Sequence, residues 1–326
     1  MWAQCICPTG RMIGYGSLVM FNMITLPPGV TFYERGWLSS NNVLLQDEHQ
    51  AVLVDSGYHS HESQTLSLVQ AALAGKPLNR IINTHLHSDH CGGNAQLQLA
   101  YPDIQIDIPP GHASLVDAWD ANGLTYEPTG QHCPRFRKSG LVKNGDSFQV
   151  GNLTWHAHAA PGHDPHSIIL FNEEMRILIS ADALWENGFG VVFPEIEGVG
   201  AFDEVEKTLN IIEALNPQLV LPGHGGAFSE IPQALARARS RLAQFRTSPE
   251  KHASYASKVL LKFKLLDFQS CDLSEFHNWT EKVSYLHLLH QQWQPRMNYR
   301  TWIQALLTEL ERAGACQLNE NRITNV

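Results

Sequence analysis

From about residue 24 to residue 248, short apolar runs alternate with longer segments whose apolar residues recur at helical spacing. Val43-Leu44-Leu45 and Ala51-Val52-Leu53-Val54 predict paired strands around the polar turn Gln46 to Gln50, the second ending at Asp55-Ser56-Gly57. Glu62 to Ala74 has helical spacing and stops at Gly75, with Pro77 beyond. Arg80 to Asn83 reads as a buried strand, and Cys91-Gly92-Gly93-Asn94 as a turn into a helix that continues through Gln96 to Tyr101. The polar stretch Pro109 to Gly140 predicts loops over a site. Leu153 to Ala160 alternates as a strand, and Ser167 to Phe171 pairs with Met175 to Ser180 around Asn172-Glu173-Glu174. Asp203, with Glu206 as its capping-box partner, starts a helix that ends at Leu215 before Asn216-Pro217. Gln218 to Leu221 is a further strand, and Ile231 to Phe245 a basic amphipathic helix. Strands alternating with helices predict an α/β fold.

The pattern changes at Ser248-Pro249. Pro249 to Leu266, Thr280 to Trp293 and Tyr299 to Ala313 predict helices, and Ala315 to Val326 a hairpin around Asn319-Glu320-Asn321. Three helices and a hairpin form a winged-helix-like module. The division is therefore an N-terminal extension over 1–22, whose start is as readily an over-extended one, a catalytic domain over 23–247 and a helical module over 248–326. That last region carries nine Lys/Arg against eight Asp/Glu. A winged helix that grips DNA should be more basic, so the module reads as structural, as a lid or as a homodimer surface.

Composition narrows the rest. With 43% apolar and 17% charged residues the 326-residue chain can bury a sizeable core. A net charge of -9 leaves no basic excess to neutralise phosphates, which argues against nucleic acid. No stretch reaches the ~18 apolar residues that would span a bilayer. Six scattered cysteines without a framework spacing fit a reducing cytoplasm better than a disulfide scaffold, and Cys5-x-Cys7 has no second pair to complete a metal site. Seventeen histidines remain to be explained.

Three imidazoles and a carboxyl fall within His85-Leu86-His87-Ser88-Asp89-His90, just where the strand over 80–83 ends. His163, Asp182, His224 and Asp55 each follow another readable strand, so a parallel-type sheet would gather them along one edge. Imidazole and carboxylate donors suit a borderline divalent ion such as Zn²⁺. His85 and His87 can point to one ion with His163; Asp89 and His90 turn the other way and can hold a second with His224; Asp182 has two oxygens with which to bridge. Asp55 fits a role beside the ligands, orienting a histidine through its ring N–H. His156-x-His158 reads as a strand coincidence, and His59, His61, His112 and His132 as loop residues.

These residues resemble the metallo-β-lactamase superfamily: the His85 to His90 motif with Gly92-Gly93, then Pro161-Gly162-His163, Ser180-Ala181-Asp182 and Pro222-Gly223-His224, in the family's order. The resemblance covers about residues 24 to 245. It implies an αββα sandwich with a dinuclear site at one edge, two Zn²⁺ ions with iron or manganese as the other candidates, and the ligand grouping just given. Asp rather than Cys at position 182 leans toward glyoxalase II-like and lactonase-like hydrolases. His at position 87 disfavours the diiron flavoproteins, and the 41 residues between Asp182 and His224 leave little room for the insertion of β-CASP nucleases. His166 stands where the family often has Gly, adding an imidazole that either packs or touches substrate.

The function expected is hydrolysis of an ester, thioester or lactone carbonyl of a small molecule by a hydroxide shared between two metals, with Asp89 holding a metal and orienting the nucleophile. Trp185, Phe189 and Phe193 read as an apolar pocket wall, though one of these rings fits core packing equally well. Three rivals remain. Nitrocefin turnover would mark a β-lactam hydrolase, and a single iron would mark a persulfide dioxygenase. A non-catalytic metal-binding module is the third, disfavoured because no ligand position is missing.

Overall fold

Alternation along the strands builds two sheets, each with an apolar face to its partner and another to helices. The computed structural model describes residues 25–326; the expectations for residues 1–22, Cys5-x-Cys7 included, lie outside them. The first sheet contains β1 (Val30–Tyr33), β2 (Asn42–Gln46), β3 (Ala51–Val54), β4 (Arg80–Ile82), β5 (Gln105–Ile108) and β6 (Gly140–Leu141), in that order. The second contains β7 (Ser147–Val150), β8 (Leu153–Ala159), β9 (Ile168–Asn172), β10 (Ile177–Ala181) and β11 (Leu219–Pro222), in the spatial order β11-β10-β9-β8-β7. Val43, Leu45, Val52, Val54 and Ile82 face Trp155, Ile168, Leu170, Ile179 and Leu221 across the inter-sheet core. The period of two sends Leu44, Leu53 and Ile81 to the opposite face.

That outer face is covered by α1 (Glu62–Leu73), the one-turn α2 (Ser88–Cys91), α3 (Asn94–Ala100), α4 (Ala113–Ala118) and α5 (Tyr126–Thr129). After the short α6 (Phe193–Ile196), α7 (Phe202–Leu215) and α8 (Ile231–Thr247) cover the second sheet through Val205, Leu209, Ile212, Leu235 and Leu242. The architecture is the αββα sandwich expected. The stretch predicted as loops over 109–140 includes α4 and α5.

β3 to β6 run parallel, as do β10 and β11, while β8, β9 and β10 are antiparallel neighbours. Because β8 and β10 both oppose β9, their carboxyl ends share an edge with that of β11. The second sheet is thus mixed rather than parallel, yet it still gathers the loop residues as a parallel sheet would.

Only Ser248 separates α8 from α9 (Pro249–Phe268), which leads into α10 (Leu273–Thr280), α11 (Ser284–Trp293) and α12 (Tyr299–Arg312). A three-stranded antiparallel sheet joins β12 (Ser270–Asp272) to the expected terminal hairpin of β13 (Cys316–Leu318) and β14 (Arg322–Asn325). These helices share a core including Leu260, Phe276, Leu286 and Ile303, into which Val191 and Ile196 of the sandwich also insert.

Two local expectations need correction. The helix predicted over 280–293 begins only at Ser284, because α10 closes at Thr280, whose hydroxyl donates back to His277 O. Asp203 does not cap α7. It lies inside the first turn and pairs with Arg246, while the Glu195 carboxyl accepts from the Ala201 and Phe202 amides. A cap supplied from a distant residue leaves no local signature.

Candidate functional site

Strand ends position every candidate ligand. Thr84 and His85 follow β4, and Asp89 and His90 ride on α2, whose single turn brings Asp89 and His90 round from His87. His163 follows β8, Asp182 follows β10 directly and His224 follows β11. Backbone geometry is tight here. Ala181 holds φ +46, in the left-handed region that alanine avoids. Gly223 donates its N–H to Ala181 O at 2.7 Å, and any Cβ on Gly223 would run into Asp182 Oδ1. Glycine is required there by close approach.

The predicted side chains meet. His87 Nδ1 lies 3.0 Å from His85 Nε2 and 2.8 Å from His163 Nε2, and the latter two are 3.3 Å apart. On the other side, His224 Nε2 lies 3.0 Å from Asp89 Oδ2, which is 3.8 Å from His90 Nε2. Asp182 stands between the groups, with Oδ2 at 3.4 Å from His163 Nε2 and 3.8 Å from His224 Nε2, and Oδ1 at 3.4 Å from His90 Nε2.

Hydrogen bonding to the far ring nitrogens fixes which lone pairs point inward. His163 Nδ1 meets Val191 O at 2.5 Å and His224 Nδ1 meets Gly36 O at 3.3 Å; a carbonyl only accepts, so both nitrogens donate. His90 Nδ1 donates to Asp55 Oδ2 at 2.7 Å. Thr84 Oγ1 gives its proton to the same carboxyl, so it accepts from His85 Nδ1 at 3.2 Å. His87 Nε2 faces Asp164 Oδ2 at 4.0 Å. The inward nitrogens of His85, His87 and His163 lie 2.8–3.3 Å apart, where their lone pairs repel unless a cation or proton lies between them.

Titration follows the same division. Burial pushes His85 and His163 down, and His87 down to about 3, which keeps all three neutral near pH 7. Burial opposes charge on His90 as well, but Asp182, Asp55 and Asp89 outweigh it and raise its pKa well above the usual value; Asp182 and Asp89 likewise raise His224. His90 Nε2 is nevertheless buried without a hydrogen bond. Three overlapping donor groups follow: His85, His87 and His163; His85, His90 and Asp182; Asp89, His90 and His224. An orphaned nitrogen, converging lone pairs and ionised carboxylates fit a pair of divalent cations.

Asp55, at φ +57, also accepts from the Thr84 amide at 2.8 Å, so it braces the whole turn as well as His90. Trp185 and Phe193 line the cleft above the cage, Trp185 donating its Nε1–H to Asp182 Oδ1 at 3.2 Å. Phe189 does not: it is buried in the core under α7 and α8, against Phe245. His166 packs edge-on against His112 and over Gly111 instead of entering the cleft. Trp37, Tyr255, Val259 and Phe263 went unnoticed in the sequence yet line the cleft. The i, i+4, i+8 spacing on α9 was the available signal for the last three.

The sequence model of the metallo-beta-lactamase superfamily matches residues 35–224, a span holding every candidate ligand and more than half the chain. The chain belongs to the metallo-beta-lactamase superfamily. Among curated members, a probable hydroxyacylglutathione hydrolase of Schizosaccharomyces pombe is 24% identical over 56% of this chain and 61% of its own length. A hydroxyacylglutathione hydrolase of Synechococcus sp. is 28% identical over 46% and 56%. An atrochrysone carboxyl ACP thioesterase of Aspergillus fumigatus is 23% identical over 60% and 40%. This metallo-beta-lactamase superfamily chain therefore spans about half the length of these relatives. Among solved structures, a metallo-beta-lactamase family protein of Thermus thermophilus shares the fold with a TM-score of 0.55 at 18% identity, over 93% of this chain and all of that one. A beta-lactamase domain protein of Burkholderia ambifaria does so at 0.54 and 21%, over 82% and 88%.

Proposed function

We propose that this protein is a dinuclear metal-dependent hydrolase, with zinc as the resident metal, that cleaves a thioester of a small molecule. One observation carries the reading: seven side chains from both sheets bring their donor atoms together, with His85, His90, His163 and His224 each held by an outer hydrogen bond. His85, His87 and His163 would hold one ion, Asp89, His90 and His224 the second, and Asp182 would reach both. When bound, such a pair supplies a nucleophile from water at neutral pH and polarises a carbonyl. The protein's own part is orientation and exclusion. Asp55 fixes His90, Asp89 holds its carboxylate beside His224, and Trp185 steadies Asp182 through its indole N–H. Helix α9 closes the cleft from above and limits water.

Relatives named hydroxyacylglutathione hydrolase and thioesterase favour a thioester over the ester, lactone and β-lactam that the same chemistry would admit. The test is elemental analysis beside turnover of thioester, ester, lactone, nitrocefin and phosphodiester substrates. About two zinc ions per chain and fastest thioester cleavage, abolished in His85→Ala, are expected. A single iron without hydrolysis, or unchanged turnover in His85→Ala, would defeat the proposal.

A further inference from the structure

The cleft over the candidate cage is chemically one-sided. Trp37, Trp185 and Phe193 stand on the sandwich side, and Tyr255, Val259 and Phe263 come down from one face of α9. Thr125, Thr129 and Gln131 add polar groups without charge. Among the described residues, no lysine or arginine lines this space. Two cations on the bordering helices are occupied elsewhere: Arg241 lies 5.4 Å over the Tyr255 ring and donates to Phe189 O, and Lys264 pairs with Asp267 at 2.7 Å. Trp37 is 55% exposed at the mouth, its ring stacked on His224 at 5.5 Å and edge-on to Trp185 at 5.3 Å. So large an apolar surface left open beside a reactive centre marks a contact for ligand.

We infer that this cleft selects an uncharged, apolar acyl group, aliphatic of medium length or aromatic, and disfavours a polyanionic thiol carrier such as glutathione. The inference rests on the hydrolase reading for the acyl group and the place of its carbonyl, and on the cleft lining for the preference itself. Positive charge in the cleft would come from the cage alone, where the scissile carbonyl must sit, so carboxylates on a distant tail would lose water without gaining a partner. Each methylene laid against Val259, Phe263 or Phe193 gains by leaving water. The names of the hydroxyacylglutathione relatives would then not carry over to the thiol half of this protein's substrate.

Thioethers, which cannot be hydrolysed, separate binding from catalysis. Calorimetric titration of the zinc-loaded full chain would compare N-acetyl-S-octylcysteamine, N-acetyl-S-ethylcysteamine and S-octylglutathione. The neutral octyl compound is expected to bind about tenfold or more tighter than either other. Val259→Lys, folded as judged by an unchanged circular dichroism spectrum, should weaken the neutral octyl compound about fivefold or more and narrow its margin over S-octylglutathione. Equal binding of octyl and ethyl, tighter binding of S-octylglutathione, or no binding of any of the three overturns the inference. If Val259→Lys fails to fold, Val259→Thr, nearly equal in volume, should still cut the octyl-over-ethyl margin; an unchanged margin counts against it. Failure of the same protein to cleave any thioester would strike the hydrolase reading and leave this ranking to stand or fall on binding.

Discussion

His90 can present a lone pair to a metal only while Asp55 takes the proton on its other nitrogen. Replacing that carboxyl by an amide of the same shape allows the ring to change tautomer. In the dinuclear reading, Asp55→Asn is therefore expected to weaken binding at the His90 ion about 10- to 100-fold, read by competition of a chromophoric chelator for added zinc. Wild-type affinity in that variant would remove Asp55 from the machinery. Gly223 acts by absence: a methyl group there would meet Asp182 Oδ1 and the Ala181 backbone. Gly223→Ala should fold with about 1–3 kcal/mol less stability and hold less metal per chain than wild type. Full occupancy by elemental analysis would show that Asp182 can move without loss. At this scale the sequence was informative where spacing is local. His85 to His90 announces itself because one strand end and one helical turn decide all four donors. Trp37 was silent, since its contacts with His224 and Trp185 depend on a loop between β1 and β2 whose course no nearby residue dictates.

The helix α9 links the carboxyl-terminal module to the cleft, and His252 in its first turns is the joint. Its Nε2 accepts from the Val192 amide at 3.1 Å, between the rings of Phe202 and Phe245. Accepting requires the neutral ring, and burial alone lowers its pKa to about 4. The unfolded chain protonates this histidine near 6.5 and the folded one only near 4, so between those values the unfolded state binds more protons. The stability due to His252 is present above about pH 6.5 and is lost as pH falls toward 4. Between pH 7 and pH 5 the loss should be about 2 kcal/mol. His252→Gln keeps an acceptor without that titration, so its urea midpoint should fall less than wild type's over the same interval; parallel curves would contradict the assignment. The long helices were legible from periodicity, because burial of one face leaves a 3.6-residue signature. What was not legible were the short α4, α5 and α10, too brief for a period to show, and boundaries set from afar: Glu195 capping α7, and the closure of α10 at Thr280 that delays the next helix to Ser284.

Across the whole molecule, the candidate ligands divide between the sheets: His85, His87, Asp89 and His90 follow the first, and His163, Asp182 and His224 the second. The strands that end at these ligands were readable as short apolar runs, but the packing of two sheets face to face was inferred from a resemblance, because no local pattern sets strand order or the angle between sheets. A metal pair at that seam would clamp the two halves together and would bind the folded chain far better than the unfolded one. Removing it should then cost stability in proportion to the logarithm of ligand excess. At about 1,000 times the dissociation constant the gain is ~4 kcal/mol. For a chain of this size that corresponds to roughly 6 °C in melting temperature. Dialysis against a chelator should therefore lower the melting temperature by about that amount, and added zinc should restore it, while His85→Ala should melt like the stripped protein and respond little. The clamp also dictates where the loss is felt. Amide exchange should quicken first at the ends of β4, β10 and β11, and least in the α10–α12 core, which touches none of the ligands. Uniform quickening across both regions would mean that the metals stabilise the molecule some other way than by joining its two sheets.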